Sequence, residues 1–352
     1  MIMLPNTKTS APANWSRGNL QFHNHCPACG ESGVAHLRTY CRQDDYQSMP
    51  DVWCHSLCNA CGSIYLSPRP DAESLPLAYA DYYTHHASED RTLTSARATD
   101  KLVNGYLAWR FGMTLRPHWR AGAWLFRYVP PLRMKLDVYG RHIPRDWIGT
   151  TKRVLDVGCG NGAFLHRAIE MGFEAVGCEL DPKAAALCQQ QGLNVFAGDA
   201  FSPLLDDQRF DFITLSHVIE HVETPQEVLS RLYALLQPGG WIWLALPNPQ
   251  ALGRFLYGKT WKGFHPPFHL LIPHQNTLTV WLRQAEFVDV KVVRRGAQSP
   301  GLWQESKRIA EREGCSPNAL IGALAQVGGD VLSTLTPRWG EETIIMARRR
   351  QQ

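Results

Sequence analysis

The sequence predicts an α/β protein, a doubly wound and mostly parallel sheet preceded by a small cysteine-bearing module. Three observations carry that expectation. A short apolar run from Arg153 to Val157 ends in glycines at alternate positions, Gly158, Gly160 and Gly162, before helical sequence from Ala163 to Met171. Apolar runs and helical stretches then alternate toward the C-terminus, the pattern of βαβ units. Upstream stand two C-x-x-C-G knuckles, Cys26 to Gly30 and Cys58 to Gly62.

The bulk composition sets the limits. Hydrophobic content of 44% and charged content of 19% describe an ordinary globular chain, and 352 residues leave room for more than one domain. A formal charge of +4 is too small to argue for nucleic acid. The opening MIMLPNTKTSAPANW lacks the basic start and apolar centre of a signal peptide. The nearest approach to a membrane span, Ala319 to Leu335, is broken by Gln326, Gly328, Gly329 and Asp330. A cytoplasmic protein is expected, and its ten cysteines then point to metal binding before a disulfide framework.

Residues 1–20 are polar and expected to be loose, and 21–90 form the cysteine-bearing unit. Each knuckle turns on its glycine and offers two thiolates, so Cys26, Cys29, Cys58 and Cys61 together can close a tetrahedron around zinc. Leu37 to Tyr40 and Asp51 to Trp53 supply short strands. Cys54 and His55 fit the ligand geometry less well, and Cys41, with no partner in the pattern, reads as a small apolar residue. Residues 91–150 form a connector in which Leu102 to Met113 and Trp119 to Val129 read as short helices with apolar and basic faces. A lid over the ligand crevice is the expected role, and a peripheral contact with anionic lipid is the lesser alternative.

From residue 151 to the end runs the main domain. Glu179 closes the second strand about twenty positions past the glycine turn, where an acid can accept from both ribose hydroxyls of an adenosine cofactor. Asp181-Pro182 starts a helix. Val195 to Ala200 is the third strand and its exit through Asp199; Phe210 to Leu215 is the fourth, running into Ser216, His217, Glu220 and His221. A helix from Gln226 to Leu236 stops at Gln237-Pro238-Gly239-Gly240, and Trp241 to Leu246 is the fifth strand. Beyond a loop with His265 and His269 come a helix, a sixth strand from Val288 to Arg295, a partly helical insertion over 296–339, and a last strand from Glu342 to Arg348.

A nicotinamide fingerprint reads G-x-G-x-x-G. Here Asp156 leads Gly158-x-Gly160-x-Gly162, and this D-x-G-x-G-x-G form resembles the first motif of class I methyltransferases that use S-adenosylmethionine (SAM). The order L-x-P-G-G, an apolar strand and L-P-N-P resembles the same superfamily. C-x-x-C-G-x-x-Y-L-x-P-R-P, followed by the tyrosine-rich Tyr79 to His86, looks like its bacterial subgroup with an N-terminal zinc ribbon, which acts on sugars and surface polysaccharides. The resemblance implies a Rossmann-like, seven-stranded sheet whose last strand is antiparallel at the edge. It implies a SAM site built from Asp156, Gly158, Cys159, Gly160, Gly162, Glu179, Leu180, Asp199, Ala200 and Ser216, with Asp199 toward the adenine amine. Tyr82, Tyr83 and His85 would line the acceptor pocket or pack the ribbon on the main domain. The subgroup usually has glycine where Glu286 stands, a departure that touches a turn.

Methyl transfer from SAM is an in-line displacement, so placement carries much of the catalysis and a hydroxyl or amine acceptor must also lose a proton. His217, His221, His265 and His269 follow strand ends and are the candidate bases, with His217 and His265 preferred; Glu220 can orient an imidazole. The resemblance implies a small-molecule acceptor of glycan type, carried on a nucleotide or a lipid. An RNA methyltransferase with a ribbon is the alternative, disfavoured by the absence of a dense basic stripe and of an Asn/Asp-Pro-Pro-aromatic signature after the fourth strand. A non-catalytic SAM- or glycan-binding relative is disfavoured by the intact Asp156, Gly158, Gly160, Glu179 and Asp199. The oligomeric state is left open.

Overall fold

The computed structural model describes residues 15–32, 38–45, 51–79, 97–296 and 300–351. Tyr82, Tyr83 and His85 lie outside these residues, as does most of the N-terminal stretch.

The chain opens with short strands, β1 (Leu20–Gln21), β2 (Thr39–Arg42), β3 (Trp53–Leu57), β4 (Ile64–Leu66) and β5 (Arg69–Pro70), and a helical turn α1 (Leu75–Ala78). Cys41 and Cys54 stand opposite each other in the antiparallel β2–β3 pair and form a disulfide. That corrects the reading of Cys41 as an unpartnered apolar residue and removes Cys54 as a stand-in ligand. Their spacing carries no knuckle signature; only the strand register brings them together.

The connector holds α2 (Ala98–Phe111), α3 (Ala121–Arg127) and α4 (Pro130–Asp137). Pro130 and Pro131 occupy the first turn of α4, where no amide is needed. Tyr106, Leu107 and Phe111 of α2 bury themselves among Val154, Phe164, Trp243 and Ile344, so the connector is one helical layer of the core and not a lid.

Then follow β6 (Arg153–Val157), α5 (Ala163–Glu170), β7 (Glu174–Glu179), α6 (Pro182–Gln190), β8 (Asn194–Ala197), β9 (Phe210–Ser216), α7 (Pro225–Leu235), β10 (Leu236–Pro247), α8 (Leu252–Tyr257), β11 (Leu271–Ile272), α9 (Gln275–Gln284), β12 (Val288–Val293), α10 (Pro300–Arg312), α11 (Ala319–Leu335) and β13 (Glu342–Arg348). Asp181 caps α6 by accepting from the Lys183 amide, with Pro182 at the first helical position. Seven strands order as β12-β13-β10-β9-β6-β7-β8, parallel from β10 to β8 and antiparallel on both sides of β13. Residues on α7 and α9 cover the other face from the connector, packing Leu229, Leu232, Leu278 and Leu282 on the sheet.

Two expectations about this sheet need correction. The last strand is not at the edge: β13 lies between β10 and β12, and β12 takes the edge. Chemistry explains the exchange. Ile344, Ile345 and Ala347 in β13 are all wholly buried, as an interior strand requires, whereas β12 places Asp289 and Lys291 on exposed edge positions. The fifth strand also begins earlier, at Leu236, and Gln237 to Gly240 bulge out between the Leu236–Phe210 and Trp241–Phe212 pairs. At the departure from the subgroup, Glu286 sits at φ 68°, a left-handed conformation natural to glycine and costing a side chain about 1 kcal/mol.

The N-terminal unit is not a separate body. β11 adds to β4, giving a four-stranded sheet ordered β11-β4-β3-β2, and the Leu66 amide donates to the Leu270 carbonyl. A strand from the second half of the chain thus completes the first sheet.

Candidate functional site

The carboxyl ends of the parallel strands β6 to β9 lie side by side at one end of the sheet, the place where doubly wound sheets bind ligands. At the turn after β6, Gly158, Gly160 and Gly162 have φ of 67°, 54° and 76°. A Cβ on Gly158 would stand 2.5 Å from Val218 Cγ2, while one on Gly160 would meet nothing within 4 Å. Gly158 is therefore required by packing, and Gly160 leaves bare backbone facing open space. Glu179 links the glycine turn to the start of α6: Oε2 accepts from the Gly160 amide at 2.8 Å and Oε1 from the Asp181 amide at 3.1 Å. Asp199 is exposed and caps its own turn through the Phe201 amide at 2.9 Å. Leu180, 71% exposed, and Phe201, 47% exposed, are large apolar side chains left out of the core at these strand ends. Cys159 and Ala200 are buried behind the turns, and Ser216 is half-buried at the end of β9.

Asp156 departs from its expected role as a cofactor contact. It is buried beneath the turn, ion-paired with Arg141 and accepting from Thr214 Oγ1 at 2.9 Å. Arg141 in turn lies 3.7 Å over the Phe164 ring. Asp156→Ala leaves that guanidinium buried without its partner, so unfolding free energy should drop by about 3–5 kcal/mol in denaturant titration, and any weakening of ligand binding should follow from that loss.

Four histidines converge past the ends of β9 and β10, around a cavity of about 220 Å³ that Trp261, Lys262, Leu302 and Glu341 also line. His217 and His265 hold φ of 56° and 39°, left-handed values that non-glycine residues adopt at a cost and that cluster in functional sites. His217 lies between two carboxylates, Nε2 2.8 Å from Glu342 Oε1 and Nδ1 3.3 Å from Glu220 Oε1. Burial opposes its charge, but Glu220 and Glu342 outweigh burial and push its pKa up to about 10. An imidazolium cannot take a proton, so the preference for His217 as the base is corrected. Burial and the Lys262 charge hold His265 well below the usual histidine range, neutral but a weak acceptor.

His221 and His269 are neutral too, lowered first by burial. His269 donates from Nδ1 to the Gly263 carbonyl at 2.7 Å, which leaves Nε2 as a lone pair 3.8 Å from Glu220 Oε1. Glu220 is wholly buried, with the His217 ring at 3.3 Å and the His269 ring at 3.8 Å from its Oε1. Glu220, His221 and His269 bring their ligand atoms within 4.8 Å of one another, a group able to hold a divalent cation. The His221 ring donates to the Phe268 carbonyl, and Tyr79 Oη lies 2.9 Å from Nδ1. A neutral ring with its one N–H on a carbonyl must accept at the other nitrogen, so Tyr79 donates to Nδ1.

The N-terminal unit stands behind this cavity's lining. Tyr79 reaches His221, His55 Nε2 meets the His269 carbonyl at 3.0 Å, and Asp45 pairs with Arg42 and Lys262. Burial would raise the Asp45 carboxyl, but those two cations hold it below its usual value. The insertion adds Leu302 from α10, and β13 brings Glu342, held down by Arg295 and His217 against its burial. Sequence reasoning missed Arg141, Glu341 and Glu342. The adjacent acids before an apolar strand were the available signal for the last two.

The His217 network has a definite pH signature. A raised histidine contributes fully below its ordinary 6.5 and loses that contribution as pH climbs through about 10. Depressed Glu342 contributes above its ordinary 4.5 and loses that on acidification. Denaturant titrations should therefore show stability falling between pH 6.5 and 10, and the fall should shrink in His217→Gln.

At the knuckles, the Gly30 amide donates to the Cys26 carbonyl at 2.8 Å and the Gly62 amide to the Cys58 carbonyl at 3.0 Å, two matching turns. The four sulfurs lie within 4.8 Å of one another, with Cys26–Cys61 and Cys29–Cys58 both at 3.8 Å. Tetrahedral zinc with bonds of about 2.3 Å needs edges of about 3.8 Å, so the residues fit the ion.

The family model described as "Methyltransferase domain" matches residues 134–292. A "Ubiquinone biosynthesis O-methyltransferase" of Coxiella burnetii (strain RSA 331 / Henzerling II) is 30% identical over 164 residues, 45% of this chain and 69% of the relative. One of the same description from Bordetella avium (strain 197N) is 28% identical over 149 residues, 38% of this chain and 61% of the relative. The chain thus spans under two thirds of the Bordetella protein's length. Among solved structures, a SAM-dependent methyltransferase from Archaeoglobus fulgidus is similar at 23% identity and a TM-score of 0.43, covering 66% of this chain and all of that one.

Proposed function

The chain belongs to the class I SAM-dependent methyltransferases, and from that premise we propose that it methylates an oxygen or nitrogen of a small polyhydroxylated acceptor, a glycan unit carried on a nucleotide or a lipid. The observation that supports the acceptor class is the histidine-lined cavity past the ends of β9 and β10. It is small, at about 220 Å³, and mixes imidazoles, Lys262 and Glu341 with the Trp261 ring, a lining suited to one hydroxyl-bearing ring.

SAM, when bound, supplies the electrophilic methyl carbon, so this chain's own residues need only place the acceptor and remove its proton. Gly160 gives room for close backbone approach, Glu179 and Asp199 accept from ribose and adenine, and Leu180 and Phe201 flank the base. His221 is the proton acceptor. Its Nδ1 lone pair accepts from the Tyr79 hydroxyl, so a proton leaving the acceptor passes to Tyr79 Oη as the Tyr79 proton passes to Nδ1. Buried Glu220 stabilises the imidazolium that forms. Zinc at Cys26, Cys29, Cys58 and Cys61 fixes the N-terminal unit that supplies Tyr79, a structural role.

Incubation of zinc-loaded protein with methyl-labelled SAM and a panel of nucleotide sugars, lipid-linked sugars and hydroxylated quinol precursors tests the acceptor class. Label in the sugar fraction is expected. Label only in the quinol fraction would replace the acceptor and keep the reaction.

A further inference from the structure

The insertion has an inverted helix. On α11 the residues turned to the protein are small: Gly329 and Ser333 are buried, and Ala325 packs with Tyr257 and Trp303. The large aliphatic residues face outward, Leu320, Leu324, Val327, Val331 and Leu335 each being 55–68% exposed. Asp330 is the helix's one charged residue. Surface of this size and apolarity marks an interaction site.

Its neighbours say what covers it. α11 packs against α8 and α4, and α4 packs against α3. Phe255 of α8, Leu132 of α4, Trp124 of α3 and Tyr128 just past its end are exposed as well, with Trp124 at 71%. Beside α3 the charge turns strongly positive: residues 97–147 hold ten Lys or Arg against three Asp, on a chain whose net charge is +4. Between α2 and α3 lies a groove of about 410 Å³ lined by Trp109, His118, Arg120, Trp124 and Arg127.

We propose that this row of helices is a membrane-contacting face for an anionic bilayer, with the outer side of α11 in the acyl boundary and the arginine–tryptophan groove on lipid phosphates. Aliphatic side chains, interfacial aromatics and arginines are arranged as surface-lying helices require. At 17 residues α11 is too short to span, and no described helix is long and apolar enough to do so. A second copy paired on α11 alone would cover the aliphatic stripe and leave Trp109, Arg120, Trp124 and Arg127 of the groove without a role. The location has a consequence for catalysis, because α10, which gives Leu302 to the acceptor cavity, leads directly into α11. The face goes beyond the acceptor reading, and its test needs no methyl transfer.

The test is co-sedimentation of zinc-loaded, full-length protein with phosphatidylcholine vesicles with and without phosphatidylglycerol, at low and high salt. Binding to the anionic vesicles is expected, weakening with salt. Leu324→Glu/Val331→Glu and Arg120→Glu/Arg127→Glu, all at exposed positions, should each weaken it on the order of tenfold or more. No binding by the wild-type protein, or binding that neither pair weakens, overturns the proposal. A wild-type dimer in light scattering that Leu324→Glu/Val331→Glu converts to monomer, without vesicle binding, assigns the face to a second copy instead.

Discussion

Replacing His221 with glutamine is expected to lower kcat by about 10²–10⁴-fold, the usual worth of a positioned general base, with SAM affinity little changed. Of the four imidazoles around the cavity, His217 is held protonated by two carboxylates, while His265 and His269 are buried and far below their ordinary range. His221 is neutral and lines the cavity with buried Glu220 beside it to favour its protonated form. Its lowered pKa fixes the sign of the pH dependence. The base must be unprotonated, so kcat should be flat above pH 6.5 and fall only on acidification. Steady-state kinetics of wild type and His221→Gln across pH checks both statements. Tyr79→Phe should retain SAM binding and lose part of the rate, because the hydroxyl that holds Nδ1 is gone.

Cys58→Ser is expected to abolish activity by another route. A structural zinc site is worth about 10–16 kcal/mol of folding free energy, and three thiolates cannot hold the ion as four do. The consequence reaches beyond the knuckles, because β4 holds β11 and the loop bearing His265 and His269 is tied to Leu66 and His55. Loss of the N-terminal unit removes Tyr79 and loosens that loop, while the glycine turn and Glu179 stay on the seven-stranded sheet. Elemental analysis should give about one zinc per wild-type chain and much less in Cys58→Ser. Limited proteolysis should cut the variant before residue 97 and spare the sheet. An intact variant with full activity would remove the metal from the account.

The legible parts of this protein were those written in consecutive residues. The glycine turn, Glu179 at its strand end, the proline-started α6 and the paired knuckles each depend on spacing within a few positions, and each lies where the spacing predicts. Features made by tertiary register were not legible. Arg141 meets Asp156 only because the connector folds back under β6, and Glu342 meets His217 only because β13 inserts beside β10. Those two pairings reassigned Asp156 to structure and His217 to a fixed charge. The Cys41–Cys54 disulfide belongs to the same class, being a product of the β2–β3 register. Tyr79 carried a hint in its tyrosine-rich surroundings, but nothing local says which tyrosine reaches an imidazole.

Isothermal titration of the zinc-loaded protein with SAM, alongside Gly160→Val, tests the central claim most directly. The open backbone at Gly160 predicts one site per wild-type chain and none in the variant, whose side chain would fill the space above the turn and meet a φ of 54°. Equal binding by the two proteins, or no heat from the wild type, would contradict it.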